Sequence, residues 1–208
     1  AATQCLKKPK VLVRVNPEVN VKAEIRASYK HGKFGVPFNT PSLDSASVIV
    51  KKILDSENLE FEGFHFHLGS QITNPICFAN SIDKIENFIL KIRKERPDFS
   101  PAVIDIGGGT PVVYGMNVPS PGQISLLVIE KLNSMVGRLG CPIKLIVESG
   151  RYLTAESGTL VSRVVNTKMY ADRKFIFVDI GFHLLLDSAL LRQDYPVEIT
   201  PATDGENN

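Results

Sequence analysis

Three consecutive glycines, Gly107, Gly108 and Gly109, follow a short apolar segment that ends in Asp105. Consecutive glycines expose backbone N–H groups and let an anion approach the chain closely, so this run predicts a phosphate-binding turn. The alternative is a turn that binds nothing. Thr110 and its successors do not complete the dinucleotide fingerprint G-x-G-x-x-G, and no lysine of the Walker type follows.

Two histidines, His65 and His67, lie two residues apart and are followed by Ser70. Residues two apart in a strand point to the same face, so both imidazoles are expected on one side of a sheet. They fit a pair of metal ligands or a ring that stacks on a cofactor, and the plain alternative is an ordinary polar strand end. A metal site needs further ligands, and His31 and His183 lie in no ligand-like cluster, so we expect no metal.

Glu148 closes another apolar segment, and Gly150 and Arg151 come directly after it. A carboxylate at a strand end can hold a protonated ring nitrogen. A guanidinium can hold a phosphate or a carboxylate through two parallel hydrogen bonds. A mutual ion pair between Glu148 and Arg151 is the structural alternative.

Together these groups form one chemical set. A stacking ring, a phosphate cradle and a carboxylate for a pyridine nitrogen are the contacts that pyridoxal 5′-phosphate needs. This cofactor acts as an electron sink once its ring nitrogen is protonated, and a nearby carboxylate keeps it protonated. The sequence therefore predicts pyridoxal phosphate as the cofactor.

The elements that must position these residues alternate between strand-like and helix-like segments. Short apolar runs predict strands at 10–15, 61–68, 102–106 and 143–147. Apolar residues at helical spacing predict helices after an N-cap at Ser42, after Asn74-Pro75, and from Ile124 to a stop at Gly140, while 16–41 is expected to be mainly loop. This alternation predicts a parallel sheet covered by helices, with every candidate residue at a strand end.

The pattern changes after residue 151. Segments 158–169 and 174–179 have strand character, and the connection between them is too short for a helical crossover. Such a connection suits an antiparallel hairpin. We therefore predict a domain boundary near residue 155.

Composition narrows the classes of partner. The 24 basic and 22 acidic residues give a net charge of +2, and the basic residues are scattered, which argues against a nucleic-acid partner. No apolar run reaches the ~18 residues of a membrane span. Cys5, Cys77 and Cys141 lie in no metal-ligand spacing and fit reduced thiols. We expect a cytoplasmic protein that binds neither nucleic acid nor membrane.

Five motifs follow one another in a fixed order: Arg14-Val15-Asn16-Pro17, Lys33-Phe34-Gly35, Gly63 to Ile72, Asp105 to Gly109, and Glu148-Ser149-Gly150-Arg151. As an ordered set they resemble the fold-type III pyridoxal-phosphate-dependent decarboxylases, which include the diaminopimelate, ornithine and arginine decarboxylases. The resemblance covers about residues 10–200. It implies that 1–155 form the C-terminal half of a (β/α)8 (TIM) barrel of the alanine-racemase-like type. It also implies that 156–208 begin a β-sandwich domain, and that the protein is a homodimer with shared active sites.

The resemblance also implies roles for the cofactor-binding residues. His67 would stack on the pyridine ring. Ser70 and the amides of Gly107, Gly108 and Gly109 would hold the phosphate. Glu148 would pair with the ring nitrogen.

Substrate identity depends on the last of these motifs. Gly150 and Arg151 would complete the cofactor site, and Arg151 would also lie at the substrate carboxylate. The Arg-Pro-x-x-Tyr segment that binds substrate in diaminopimelate decarboxylases is not found, and Arg192 is the nearest substitute. Ser149 replaces the usual proline, as in the branch that acts on aminoacyl groups of carrier proteins, whereas Gly69-Ser70-Gln71-Ile72 is closer to the diaminopimelate branch.

The implied activity is decarboxylation of a basic amino acid, most like meso-diaminopimelate in lysine biosynthesis. The alternatives are a decarboxylase of a carrier-bound aminoacyl group or of ornithine or arginine, a racemase of the same barrel class, and a non-catalytic homologue that acts as a binding protein. In the family, the lysine that binds the cofactor covalently precedes the segment at Arg14, and the partner-subunit cysteine follows the position of residue 208. We therefore expect no catalytic residue proper in this chain, and we expect the chain to be part of a longer protein.

Overall fold

The computed structural model describes residues 7–38, 40, 44–191 and 193–200. The chain divides into two compact units, one of residues up to 112 with 118–156, the other of 113–117 with the residues from 157 onward. The described strands are β1 (Lys10–Arg14), β2 (Ala23–Arg26), β3 (Glu60–His65), β4 (Gly69–Ile72), β5 (Val103–Asp105), β6 (Lys144–Ile146), β7 (Val164–Tyr170) and β8 (Arg173–Val178). The described α-helices are α1 (Ala46–Leu54), α2 (Ile76–Arg93), α3 (Pro121–Leu139), α4 (Gly150–Thr154) and α5 (Leu186–Leu191).

The first unit is built on a four-stranded sheet in the order β1-β3-β5-β6. All neighbouring strands are parallel, which confirms the predicted parallel sheet. The register places Arg14 beside His65, His65 beside Asp105, and Asp105 beside Ile146. The carboxyl ends of β1, β3 and β5 therefore place three polar side chains, Arg14, His65 and Asp105, in one row.

The hydrophobic core lies between this sheet and the helices α1, α2 and α3. Phe64 of β3, Ile104 of β5 and Ile85 of α2 are completely buried in it. Burial of one such side chain contributes about 1.5–3 kcal/mol. Because side chains alternate along a strand, His65 and Asp105 point to the opposite face of the sheet, away from these helices.

The ends of the helices follow local signals. Ser120 and Gln123 form a reciprocal capping box at the start of α3, and Gly140 ends the helix in the left-handed conformation at φ 67°. The predicted stop at Gly140 is confirmed. The predicted cap at Ser42 lies outside the described residues; Ser45 occupies the N-cap position of α1.

One sequence expectation about local structure is wrong, and another is right except for one missed strand. Within the segment 16–41, predicted as mainly loop, β2 forms an antiparallel pair with β4. The predicted strand 61–68 ends at His65, so His67 follows the strand rather than belonging to it. The reason is the same in both cases: the chain turns after His65 because β4 pairs with a segment more than 40 positions away. The sequence pattern of a single segment cannot indicate a strand partner so far away in the chain.

The second unit contains the hairpin of β7 and β8, whose antiparallel pairing was predicted and is confirmed. A 3₁₀ turn, Phe182–Leu185, leads into α5. Within the described residues of the whole chain, no helix combines the length and the apolar character that crossing a bilayer requires.

Candidate functional site

A cavity of about 210 Å³ lies at the carboxyl ends of the parallel strands in the first unit. It gathers segments that are far apart in sequence: His67, Gly69, Ser70, Gly108, Gly109, Thr110 and Glu148 to Tyr152 line it. Seven of the eight residues predicted to bind the cofactor are in this lining. The eighth, Gly107, lies directly beside them. Arg192, the other substrate-binding candidate, lies outside the described residues.

The glycine turn after β5 is held by hydrogen bonds from its own amides. Gly107 N–H donates to Asp105 Oδ1 at 2.9 Å, and Gly108 N–H donates to His67 Nδ1 at 3.1 Å. Within the described part of the chain, the amide of Gly109 has no protein acceptor. Two of the three amides expected at a phosphate are therefore used inside the protein, and one is available for a ligand.

At Gly108 the turn after β5 closely approaches the backbone after β6. A Cβ atom at this position would lie 2.5 Å from the carbonyl oxygen of Glu148 and 3.7 Å from Cε1 of His67. Only glycine allows the backbone after β6 to come this near. The turn thus brings Glu148 and His67 to the same cavity.

The surroundings of His67 favour the neutral form of its imidazole. Burial lowers the pKa of its imidazole below the ordinary 6.5, and the nearby Arg14 lowers it further, against weaker opposing effects of Glu148 and Asp105. Because Nδ1 accepts the Gly108 amide, the single ring proton is on Nε2. The imidazole, fixed by this backbone hydrogen bond, lines the cavity.

Glu148 faces His65 rather than Arg151. Its Oε2 lies 3.5 Å from Nε2 of His65, while Arg151 Nη1 lies 2.9 Å from Oε2 of Glu24 on β2. The alternative of a mutual Glu148–Arg151 ion pair is therefore wrong. Asp105 lies close to the His65–Glu148 pair. One ring nitrogen of His65 and one carboxylate oxygen each of Asp105 and Glu148 lie within 4.8 Å of one another.

Sequence reasoning gave no role to two residues that support the cavity from outside its lining, Glu24 and Gln71. Glu24 was placed in a loop, and its partner Arg151 is 127 positions away, so no local signal pointed to it. Gln71 exchanges two hydrogen bonds with the backbone of Val112, at 3.0 and 2.7 Å, and fixes the chain after the glycine turn. The sequence pointed to Gln71 only as part of the motif Gly69-Ser70-Gln71-Ile72, without a role of its own.

Comparison with known proteins agrees with this geometry. The family model described as the pyridoxal-binding domain of pyridoxal-dependent decarboxylases matches residues 2–155. Diaminopimelate decarboxylase of Zymomonas mobilis is 29% identical over 204 residues, which are 97% of this chain and 46% of that protein. The enzyme of the same name from Archaeoglobus fulgidus is 26% identical over 96% of this chain and 46% of its own length.

A solved structure shows the same arrangement of the chain. Diaminopimelate decarboxylase from Methanocaldococcus jannaschii in complex with L-lysine superposes with a TM-score of 0.80 at 25% identity, over 94% of this chain and 44% of that one. The chain thus spans about half the length of the curated relatives it matches. The predicted fold, about half of a TIM-type barrel, and the predicted cofactor of the family, pyridoxal phosphate, are confirmed. The chain belongs to the pyridoxal-dependent decarboxylases and carries their pyridoxal-binding domain.

Proposed function

We propose that the protein containing this chain decarboxylates meso-diaminopimelate to L-lysine with pyridoxal phosphate as cofactor. The observation that carries the proposal is the single cavity in which His67, Gly109, Glu148 and Arg151 meet from three distant segments. The names of the relatives, and the lysine bound to the M. jannaschii structure, support this substrate class.

The residues of the cavity fit the cofactor. The unpartnered amide of Gly109 and the hydroxyl of Ser70, which has no hydrogen-bond partner in the described residues, offer donors for a phosphate. Glu148 offers a half-exposed carboxylate in the lining of the same cavity. Gly108 lines the same cavity, and a side chain at this position would collide with the carbonyl oxygen of Glu148.

We assign the contacts on this basis. Gly109 N–H, Ser70 and the guanidinium of Arg151 would hold the phosphate, whose negative charge suits a donor-rich cradle. Arg151 can bind the phosphate while it keeps its ion pair with Glu24, because a guanidinium has five N–H donors. Gly107, Gly108 and Gly150 shape the turn rather than supplying the principal donors.

The remaining two side chains act on the ring. The neutral face of His67 would pack against it and exclude water from that side. When bound, pyridoxal phosphate supplies an electron-poor ring that takes up the electron pair left by departing carbon dioxide. Glu148 would keep a proton on the ring nitrogen, because a carboxylate beside that atom favours its charged form. Arg151 or Arg192 would hold a substrate carboxylate.

The wider organisation is also part of the proposal. Residues 1–155 would belong to the barrel, as the family match over 2–155 supports, and 156–208 would open a β-sandwich domain that begins with the β7–β8 hairpin. Family membership supports a homodimer with shared sites. The two described cysteines, Cys77 and Cys141, are free thiols, which supports a cytoplasmic location.

The test uses the full-length protein that contains this chain. We expect an absorbance band from bound pyridoxal phosphate, and release of carbon dioxide with formation of L-lysine from meso-diaminopimelate. Ornithine, arginine and an aminoacylated carrier protein serve as competing substrates. A cofactor-loaded protein that turns over one of these and leaves meso-diaminopimelate unchanged refutes the substrate assignment, and a protein that binds no cofactor refutes the proposal as a whole.

Glu148→Gln tests the role of the carboxylate. Gln keeps the size of the side chain but carries no charge, so we expect turnover to fall by about a hundredfold or more while the protein stays folded. Glu156→Gln, at an exposed position of the same unit, is the matched control. An unchanged rate in Glu148→Gln would remove the assigned role.

A further inference from the structure

His65 carries an unexplained buried nitrogen. Within the described residues, its Nε2 is the only buried side-chain nitrogen or oxygen without a hydrogen-bond partner. A buried polar atom without a partner destabilises a folded protein, so its position calls for a reason. Neither the ring contact of His67 nor the phosphate contacts use this atom.

Two carboxylates lie near the His65 side chain, and they differ in exposure. Asp105, next to His65 in the sheet register, is only 6% exposed and accepts the amide of Gly107. Glu148 is 52% exposed and lines the cavity, with its Oε2 at 3.5 Å from Nε2 of His65. Asp105 is thus held by a backbone hydrogen bond. The more exposed carboxylate of Glu148 needs another contact to fix its orientation.

We propose that His65 is a positioning residue for Glu148. Its Nε2–H donates to Oε2, which leaves Oε1 as the oxygen that would pair with the pyridine nitrogen of the cofactor. The inference deepens the proposed function and rests on it. An N–H···O bond reaches to about 3.2 Å, so the observed 3.5 Å must close by about 0.3 Å, which a small rotation of the half-exposed Glu148 supplies.

The other charged or titratable neighbours on this face have different partners. His67 is bound through Nδ1 to the Gly108 amide, and burial lowers the pKa of its imidazole. Arg14 lies beside His65 in the register, with its guanidinium 5.0 Å from the ring centre of Phe34. His65 is therefore the side chain placed to direct Glu148.

The test compares two substitutions in the full-length protein loaded with pyridoxal phosphate that carries ¹⁵N in its ring. His65→Met removes the donor and keeps a side chain of similar length. His65→Gln puts an amide N–H close to the position of Nε2. His183→Met, at an exposed position of the second unit, is the matched control. The readouts are the ¹⁵N chemical shift, which reports protonation of the ring nitrogen, and the dissociation constant of the cofactor.

We expect His65→Met to lower the protonated fraction of the ring nitrogen and to weaken cofactor binding about tenfold, the usual effect of losing a hydrogen bond to a charged group. His65→Gln should restore both, and His183→Met should match the wild type. A wild-type ¹⁵N shift in His65→Met overturns the positioning role. Equal weakening by Met and Gln with an unchanged shift also overturns it, because that result indicates a purely structural residue.

Failure of the inference can be told from failure of the proposed function. A wild-type protein that binds no pyridoxal phosphate overturns both. A protonated ring nitrogen that persists in Glu148→Gln overturns the role of Glu148 and, with it, the role of His65. If Glu148→Gln loses protonation of the ring nitrogen but His65→Met keeps it, the inference is overturned and the proposed function stands.

Discussion

Gly108→Ala offers the sharpest test of how the cavity is built. The added Cβ would lie 2.5 Å from the carbonyl oxygen of Glu148, and real Cβ atoms essentially never approach closer than 3.0 Å, so the two backbones must separate by about 0.5 Å. That carbonyl also accepts the amide of Gly150 at 2.9 Å. The displacement is therefore passed to Glu148 and to the start of α4.

The size of the effect follows from this geometry. Overpacking that forces a backbone shift costs about 1–3 kcal/mol. If the strain is released by deforming the cavity, cofactor affinity falls by about 5- to 150-fold. The Gly108 amide bond to His67 would also weaken, because the backbone at residue 108 is the part that moves.

The assay measures the dissociation constant of pyridoxal phosphate by equilibrium dialysis, together with urea unfolding of the cofactor-free protein. Gly137→Ala is the control, since its Cβ would meet no atom within 4 Å and its position is in a helix. We expect that control to bind the cofactor normally and to gain about 0.4–1 kcal/mol of stability. If Gly108→Ala binds the cofactor as tightly as the wild type and unfolds at the same urea concentration, the reasoning is refuted.

Three further substitutions test other parts of the structure. Asn16→Ala should lower the free energy of unfolding by about 2–3 kcal/mol in urea titrations, because it strands the buried hydroxyl of Ser28, whose Oγ lies 2.5 Å from Asn16 Oδ1. His67→Asn should flatten the dependence of stability on pH below 6.5. The lowered pKa of His67 means that the unfolded chain takes up the proton first as the pH falls, so the native state loses stability in that range. Ser149→Pro should change stability by less than about 1 kcal/mol, because φ at this position is −75°, which suits proline, and the gain offsets the lost hydroxyl contact with Thr110 at 2.9 Å.

Each of these has an outcome that contradicts it. Asn87→Ala, at an exposed site of α2, should be neutral or slightly stabilising, and equal losses in Asn16→Ala and Asn87→Ala would refute the role of the Asn16 bonds. If the free energy of unfolding of His67→Asn in urea depends on pH as in the wild type, the pH dependence comes from a group other than His67. Loss of cofactor binding in Ser149→Pro would show that the serine hydroxyl serves the ligand.

The amino-acid sequence determined the chemistry and the general architecture. Continuous apolar runs and helical periodicity are properties of one segment at a time, so the parallel sheet and the helix stop at Gly140 could be predicted. The order of His67, the glycine run and Glu148 at successive strand ends was sufficient for the cofactor. These features need no knowledge of which distant residues touch.

The tertiary structure decided which partner each group has. The pairing of β2 with β4 and the Glu24–Arg151 ion pair join segments that no local pattern relates. The engagement of the Gly108 amide was equally hidden, because its acceptor, Nδ1 of His67, comes within reach only when β3 and β5 lie side by side. Strand register fixes these distances to a fraction of an ångström, and register depends on how the whole core packs.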